Sequence, residues 1–393
     1  MSEAKAQPTV QIDMASMSPE DRTLILWNEA LARMADNRPR AAIEILEPLV
    51  SALPDVTRIR LELARAYFQT QDDDKARFHF ERALGDPLSD ADRAAVLGFL
   101  DAIEARKRWE FGVSVAVISE SNPGQRTSAE TINIGGLRFT LTDTAEDSTG
   151  IETRLSFGVL PPVTTDVSGR FVLTLRDKSF DNEDFDDRTV GGEAGFVLRA
   201  DGGAQYGAGV LIEDRKLAGA PFSEGRGIYA DATALVGPAT RATMRVSYKD
   251  LTHDTVTSRD GPTRAMRLSL SHVVNSRFAI RSSLNFSDIE AEADWEKGQE
   301  LGISVGATYA FDGGLTLQVD AGVSSQKRDA AAPLFLDPRD DTARFVAVSA
   351  LYREFEIQGF TPVLGVRYDT RNSPIPLFDY DNTALTFGFT RLF

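Results

Sequence analysis

From Trp109 to Phe393, apolar and polar side chains alternate almost without a break. That period of two dictates extended strands over most of the chain. In GLTLQVDAGVSSQ, Leu315, Leu317, Val319, Ala321 and Val323 share one face, while Thr316, Gln318, Asp320, Gly322 and Ser324 share the other. The same division separates Leu301, Ile303, Val305, Ala307, Tyr309 and Phe311 from Gly302, Ser304, Gly306 and Thr308. One face is apolar with aromatic ends; the other is Gly, Ser, Thr and charge. In a soluble sandwich the apolar face would meet a second sheet. In a membrane barrel it meets lipid, and the small and charged face meets a wet lumen.

The connections decide between the two. Fourteen segments are separated by short turns that alternate with long loops. The short ones are PPVTT, DGG at 201–203, GPA, NS at 275–276, DGG at 312–314 and REFE. The long ones are residues 120–148, DNEDFDD, LAGAPFSEG, LTHDTVTSRDGP and RDAAAPLFLDPRDD. Short periplasmic turns, long external loops and an even strand number belong to outer-membrane barrels. The sequence therefore predicts a 14-stranded antiparallel transmembrane β-barrel over residues 109–393. It would sit in the outer membrane of a Gram-negative bacterium, among outer-membrane lipid, as a monomer. A lumen of that width needs an obstruction, and residues 120–148, with the short amphipathic stretch INIGGLRFTLT, are expected to fold inward or across the mouth.

Composition closes other routes. The chain of 393 residues carries a net charge of −16, which opposes binding to nucleic-acid phosphates. It has no cysteine, so disulfides, thiolate metal sites and cysteine nucleophiles are absent. No run reaches the roughly 20 apolar residues of a membrane-spanning helix. The start, MSEAKAQPTVQID, lacks the charged and apolar regions of a secretory signal, although AKAQ resembles the tail of a cleavage site. For an exported chain, this places the leader upstream or already removed.

Before Trp109 the apolar spacing is helical, as in LILWNEALARMA and AAIEILEPLVSAL, and it repeats with a period of 34. Ala30 maps to Ala64, Ala42 to Ala76, Leu46 to Phe80 and Leu49 to Ala83. Ala64, Tyr67, Ala76, Phe80 and Ala83 match the small and aromatic slots of a tetratricopeptide repeat. A further helix, SDADRAAVLGFLDAIEARKR, opens on capping and acidic residues and closes on Arg106, Lys107 and Arg108. It reads as the half-repeat that caps the array. The chain is thus expected to be an α + β multidomain protein, with a periplasmic helical domain over 15–108 before the barrel. Repeat arithmetic puts Trp27, Leu31, Arg65, Phe68 and Gln69 on the concave face, either as core or as a client-binding groove.

The last strand, LTFGFTRLF, sends Leu385, Phe387, Phe389 and Phe393 outward and Thr386, Gly388 and Thr390 inward. An aromatic C-terminus of this kind resembles the signal read by the barrel-assembly machinery, with Gly388, Phe389 and Phe393 carrying it and Arg391 departing from it. Parity also turns Arg176, Arg199, Glu213, Arg245, Arg267, Arg281 and Asp320 into the lumen, where they line a path or brace the wall.

Catalytic chemistry finds little to stand on. The three histidines, His79, His253 and His272, are scattered. In LSLSHVV, parity points His272 away from Ser269 and Ser271, so no nucleophile and base converge. DNEDFDD offers Asp181, Asp184, Asp186 and Asp187 as calcium ligands, but without the glycine punctuation of a dedicated loop it is expected to be solvated. GGAQYGAG has no helix N-terminus to hold a phosphate. Neither a metal nor a cofactor is expected.

The repeats joined to the barrel resemble the surface lipoprotein assembly modulator (Slam) family. The resemblance rests on RIRLELARAYFQTQDDDKARFHFERAL, AIEARKRWEFGVSVAV, and the segment from ISESNPGQ to INIGGLRF. It implies an outer-membrane translocon that moves surface lipoproteins or related secreted proteins to the cell surface, the repeats receiving or regulating the client and the barrel giving its path or lateral exit. A repeat-linked polysaccharide-export porin and a plain diffusion porin are the alternatives. Inward positions that are mostly Gly, Ser, Thr, Arg and acids, with aromatics mainly on the lipid face at strand ends, favour a protein client over a glycan.

Overall fold

The computed structural model describes residues 17–134, 137–142, 144–311, 314–352, 355 and 360–392. The chain divides into two compact units at Phe80/Glu81.

The first unit is built from helices α1 (Pro19–Ala35), α2 (Pro39–Ala52), α3 (Thr57–Thr70) and most of α4 (Asp73–Ala83). Ser18 caps α1, its Oγ accepting from the Asp21 amide at 3.1 Å, and proline occupies the first turn where its missing N–H costs nothing. Helix α3 stops at Gln71, which adopts a left-handed conformation with φ of 63°. The repeat-equivalent Ala30, Ala42, Ala64 and Ala76 are all fully buried, as are Leu46 and Phe80. Small residues let the helices close up, and the large pair fills what remains.

The second unit opens with the end of α4 and continues through α5 (Asp90–Arg106) into the strands. Fourteen antiparallel strands close a barrel. They are β1 (Trp109–Glu120), β4 (Ser148–Val159), β5 (Val167–Phe180), β6 (Asp187–Arg199), β7 (Gln205–Leu217), β8 (Ala220–Gly237) and β9 (Thr240–His253), followed by β10 (Gly261–Val273), β11 (Phe278–Ile289), β12 (Gly298–Ala310), β13 (Leu315–Arg328), β14 (Asp340–Tyr352), β15 (Thr361–Asn372) and β16 (Tyr380–Leu392). Closure pairs β1 with both β4 and β16. A separate hairpin, β2 (Thr131–Ile134) and β3 (Leu137–Thr140), lies in the connection after β1. The outward face carries exposed Val117, Phe157, Leu173, Phe196, Ile212, Ile228, Ile303, Leu364 and Phe387, an apolar belt that only lipid can cover. No described helix is long and apolar enough to cross a membrane.

One predicted loop is corrected. LAGAPFSEG is not a long external connection: β7 and β8 meet through a tight turn at Ala218–Gly219, with φ of 49° and 72°. Two successive positive φ angles give the twist that matches flanking strands, so the ladder runs on past the expected end, with a bulge at Arg215/Lys216. REFE and the second DGG fall largely outside the described residues.

The segment from Glu81 to Arg108 follows the short-turn rim of the barrel. Glu81 accepts from Arg241 Nη2 at 2.9 Å, and Asp86 Oδ1 accepts from the amide of Ser276 at 3.0 Å. Gly85 presses on the β10–β11 turn so closely that a Cβ there would lie 2.7 Å from Val273 Cγ1. Leu84 and Leu100 close over a void of about 40 Å³ against Leu235, Ala239, Ser271 and Val273. Farther along, Arg93 reaches the carbonyl of Pro238. Asp101 then packs against the β6–β7 turn at Gly203, whose φ of 75° and missing side chain give it room. Desolvation there, reinforced by Glu104, holds the Asp101 carboxyl above the usual carboxylate range. Leu160 finally donates to the carbonyl of Arg108, where the chain enters β1.

Candidate functional site

The lumen wall is a lattice of charge laid over glycine. Arg170 on β5 reaches past β6 and β7 to pair with Asp231 on β8, and its Nε donates to Tyr229 Oη at 3.2 Å. It can do so because Gly207 lies beneath. A Cβ at that position would sit 2.6 Å from Asp231 Oδ2 and 2.8 Å from Arg170 Nη2. Arg245 on β9 reaches back to Glu193 on β6 at 2.7 Å, and its guanidinium stacks 4.1 Å from the Tyr229 ring. Tyr229 is buried between the two arginines, Arg170 lying 5.0 Å away on the other contact. Lys249 on β9 meets Glu213 on β7 at 2.8 Å.

Other inward groups pair similarly. Arg281 makes two bonds to Asp320 across β12, at 3.0 and 2.7 Å, over Gly306. Arg176 and Arg154 share Glu152, and Lys178 pairs with Glu120. Arg267 donates to Asn285 at 2.7 Å, and Arg199 donates to Ser168 at 3.0 Å. Of the seven inward charges read from parity, Arg176, Glu213, Arg245, Arg281 and Asp320 are in ion pairs, while Arg199 and Arg267 bond neutral side chains. The ion pairs tie strands one, two and three places apart.

A few aromatic rings stand among the small and charged inward residues. Tyr229, Phe180 and Phe345 face inward, and each lies beside a cation: Phe345 beneath Arg367 at 4.1 Å, Phe180 beside Lys178 at 5.9 Å. Cation–π contact turns them into parts of the lattice and not a stacking track. Near the long-loop end, Phe180, Phe185 and Ile118 form a buried cluster, and Arg126 stacks 4.9 Å from Phe185. The first turn of the 120–148 segment thereby folds onto inward-facing residues.

In the helical unit, Trp27 lies 5.6 Å beneath the Arg58 guanidinium. Together with Leu24, Leu53, Val56 and Ile59 it lines a groove of about 470 Å³. The other four residues assigned to a concave face line no part of that groove. Leu31 and Phe68 are half-buried, Gln69 is exposed, and Arg65 is exposed and paired with Glu62 at 2.8 Å. The sequence signal for the observed groove lay in the connection before α3, where Leu53 and Val56 flank Pro54 and Asp55.

The remaining candidates are dispersed. Asp186 accepts from the Phe180 amide at 2.8 Å and Asp187 holds Arg215, so two acids of DNEDFDD are already committed. Among the described residues no group of acids and histidines is placed to hold a metal. His272 contacts Thr240, His253 contacts Asp260, and His79 stacks on Tyr67. Gly388 sits on β16 against Val115 and Ala116, and Phe389 lies beside Phe387; Phe393 lies outside the described residues.

A closed 14-strand barrel with a lipid-facing apolar belt, a charged lumen and preceding helical repeats defines a β-barrel protein of the outer membrane. The family profile described as "Surface lipoprotein assembly modifier" matches residues 109–393, well over half of the chain, which therefore belongs to that family. A tetratricopeptide-repeat profile matches residues 33–98. Among curated proteins, surface lipoprotein assembly modifier 1 of Neisseria meningitidis serogroup B is 27% identical over 106 residues, 27% of this chain and 22% of that protein. The surface lipoprotein assembly modifier of Moraxella catarrhalis is 26% identical over 102 residues, 26% of this chain and 20% of that protein. The matches thus span about a fifth of each relative. Similar solved structures include the toluene transporter TodX of Pseudomonas putida (TM-score 0.40, 10% identity, 76% of this chain and 93% of that one). The outer-membrane channel DcaP of Acinetobacter baumannii is another (TM-score 0.44, 10% identity, 72% and 96%). At these scores nothing about function is read from either channel.

Proposed function

We propose that this protein is an outer-membrane translocon that delivers a lipoprotein, or a related secreted protein, to the bacterial surface. Family membership across the entire barrel carries the reading. In it the helical repeats lie in the periplasm and take the client first, Trp27 and its groove gripping an apolar segment, with Leu31, Arg65, Phe68 and Gln69 on the adjoining concave face. The barrel-assembly machinery inserts the chain by its last strand, through Gly388, Phe389 and Phe393, and the barrel works as a monomer. The lumen supports a polypeptide over a glycan, because its aromatic rings lie beside cations and offer no bare stacking platforms. Most of its fixed charges pair with one another, and the small polar groups between them leave a wall along which a peptide slides.

The test is co-expression with a lipoprotein from the same locus in a bacterium lacking both. Surface labelling of the lipoprotein should require the barrel, and it should fall severalfold when residues 1–108 are removed or Trp27 becomes alanine. Equal labelling with and without the barrel overturns the proposal. Glycan on the surface without any change in the lipoprotein would favour the export porin instead.

A further inference from the structure

Among the adjacent strands of the barrel, only β1 and β16 are joined by neither a turn nor a loop of their own. Parting any other pair strains a covalent connection; parting this one breaks only the ladder and whatever side chains cross it. The ladder runs from Gly112↔Leu392 to Glu120↔Ala384. Along it the inward pairs are uncharged: Ser114 opposite Thr390, Ala116 opposite Gly388 and Ile118 opposite Thr386. Gly388 lets the two backbones close tightly, since a Cβ there would lie 2.3 Å from the Val115 carbonyl oxygen. Between Ser114–Ile118 and Thr386–Thr390, no side-chain hydrogen bond or ion pair crosses the seam among the described residues.

The described side-chain hydrogen bonds that cross the seam sit at the long-loop end. Asn382, buried, donates from Nδ2 to Glu120 at 2.9 Å and accepts from the Asn122 amide at 2.9 Å. Asn122 in turn donates to the carbonyl of Asp381 at 3.1 Å, and Ser121 exchanges bonds with Thr383. Lys178 holds Glu120 from the other side. The seam is therefore plain through the membrane and clasped at its outer end.

A lipid-bearing client poses a specific physical problem. Its acyl chains lose favourable burial for every methylene exposed to water, and this lumen is lined with Arg170, Glu193, Arg245 and Asp320. A polypeptide can pass such a wall; an acyl anchor cannot pass it without that loss. We infer that the β1–β16 seam is a lateral portal for an acylated client: the anchor stays in the bilayer core and slides through the parted seam while the polypeptide uses the lumen, with the Glu120–Asn122–Asn382 clasp closing the outer end. The inference rests on the translocon reading and adds the route of the lipid.

The absence of native cysteine makes the test clean. Ser114→Cys with Thr390→Cys locks the seam. Ser283→Cys with Ser304→Cys, opposite each other on β11 and β12 with hydroxyls 2.8 Å apart, locks a control pair. Both are compared, oxidised and reduced, with the unaltered protein, by surface labelling of the co-expressed lipoprotein. The oxidised seam pair should lose surface delivery at least tenfold and regain it on reduction, while the oxidised control pair delivers normally. A client whose lipid-bearing cysteine is replaced by serine should still cross when the seam is locked. Undiminished delivery of the acylated client through the locked seam overturns the portal, and so does equal loss with the control lock. Loss of the unacylated client as well overturns the assignment of the seam to the lipid. Failure of the unaltered protein to deliver any client instead removes the translocon reading beneath it.

Discussion

Two arcs of the same barrel solve the problem of a wide lumen in opposite ways. From β5 to β9, inward glycines leave a trough across which Arg170, Asp231, Glu193 and Arg245 lie flat and tie strands three places apart. From β15 through β16 to β1 the inward arginine Arg367 pairs with Asp369 on its own strand and ties no distant strand, and around Gly365 a Cβ would meet only ordinary contacts at 3.6 Å or more. Glycine alone does not make a wall rigid or plain. What matters is whether a neighbouring strand supplies a charged side chain long enough to use the space it leaves.

If that contrast is right, substitutions in the two arcs differ in size and sign. The largest effect should come from Asp231→Ala, which strands Arg170 beside Tyr229 without its carboxylate. It should destabilise the folded barrel by about 3 kcal/mol, read as a lowered urea midpoint of the heat-modifiable form in vesicles. Adding Arg170→Met to that variant should recover most of the loss, and a double mutant no better than the single would break the bracing account. Next comes Gly195→Ala, whose Cβ would lie 2.2 Å from the Ala208 carbonyl oxygen and 2.9 Å from Tyr229 Oη. Backbone cannot yield as a side chain can, so about 2 kcal/mol should be lost in the same assay.

In the plain arc the effects shrink. Asn382→Ala removes the shared acceptor and donor of the clasp at the long-loop end and should cost about 1 kcal/mol. It should also raise hydrogen exchange at the long-loop ends of β1 and β16 before anywhere in β5–β9. The smallest change is favourable. Gly365→Ala meets no close neighbour and removes backbone freedom from the unfolded chain, so a gain of about 0.5 kcal/mol is expected. A loss there as large as at Gly195 would show that the two arcs are packed alike.

Much of this molecule was legible in the order of its residues. Period two over Trp109–Phe393 and period 3.6 before it followed from local rules, because a strand turns each successive side chain to the opposite face and a helix turns it by a fixed angle. The buried alanines at 30, 42, 64 and 76 needed only the 34-residue repeat. The connection between β7 and β8 was less visible: Ala-Gly is a weak hairpin signal beside Asn-Gly, and the polar residues after it read as loop although the ladder continued through them.

The sequence by itself determined which side chains face lipid, which face the lumen, and how many strands close the ring, since each depends on parity and on the position of turns. Only the tertiary structure decided the partners. That Arg170 meets Asp231 three strands away, that Arg245 passes Tyr229 to reach Glu193, and that the helix Asp90–Arg106 runs along the short-turn rim all depend on the stagger between strands and the curvature of the closed wall. Those are properties of the ring as a whole, and no window of neighbouring residues carries them.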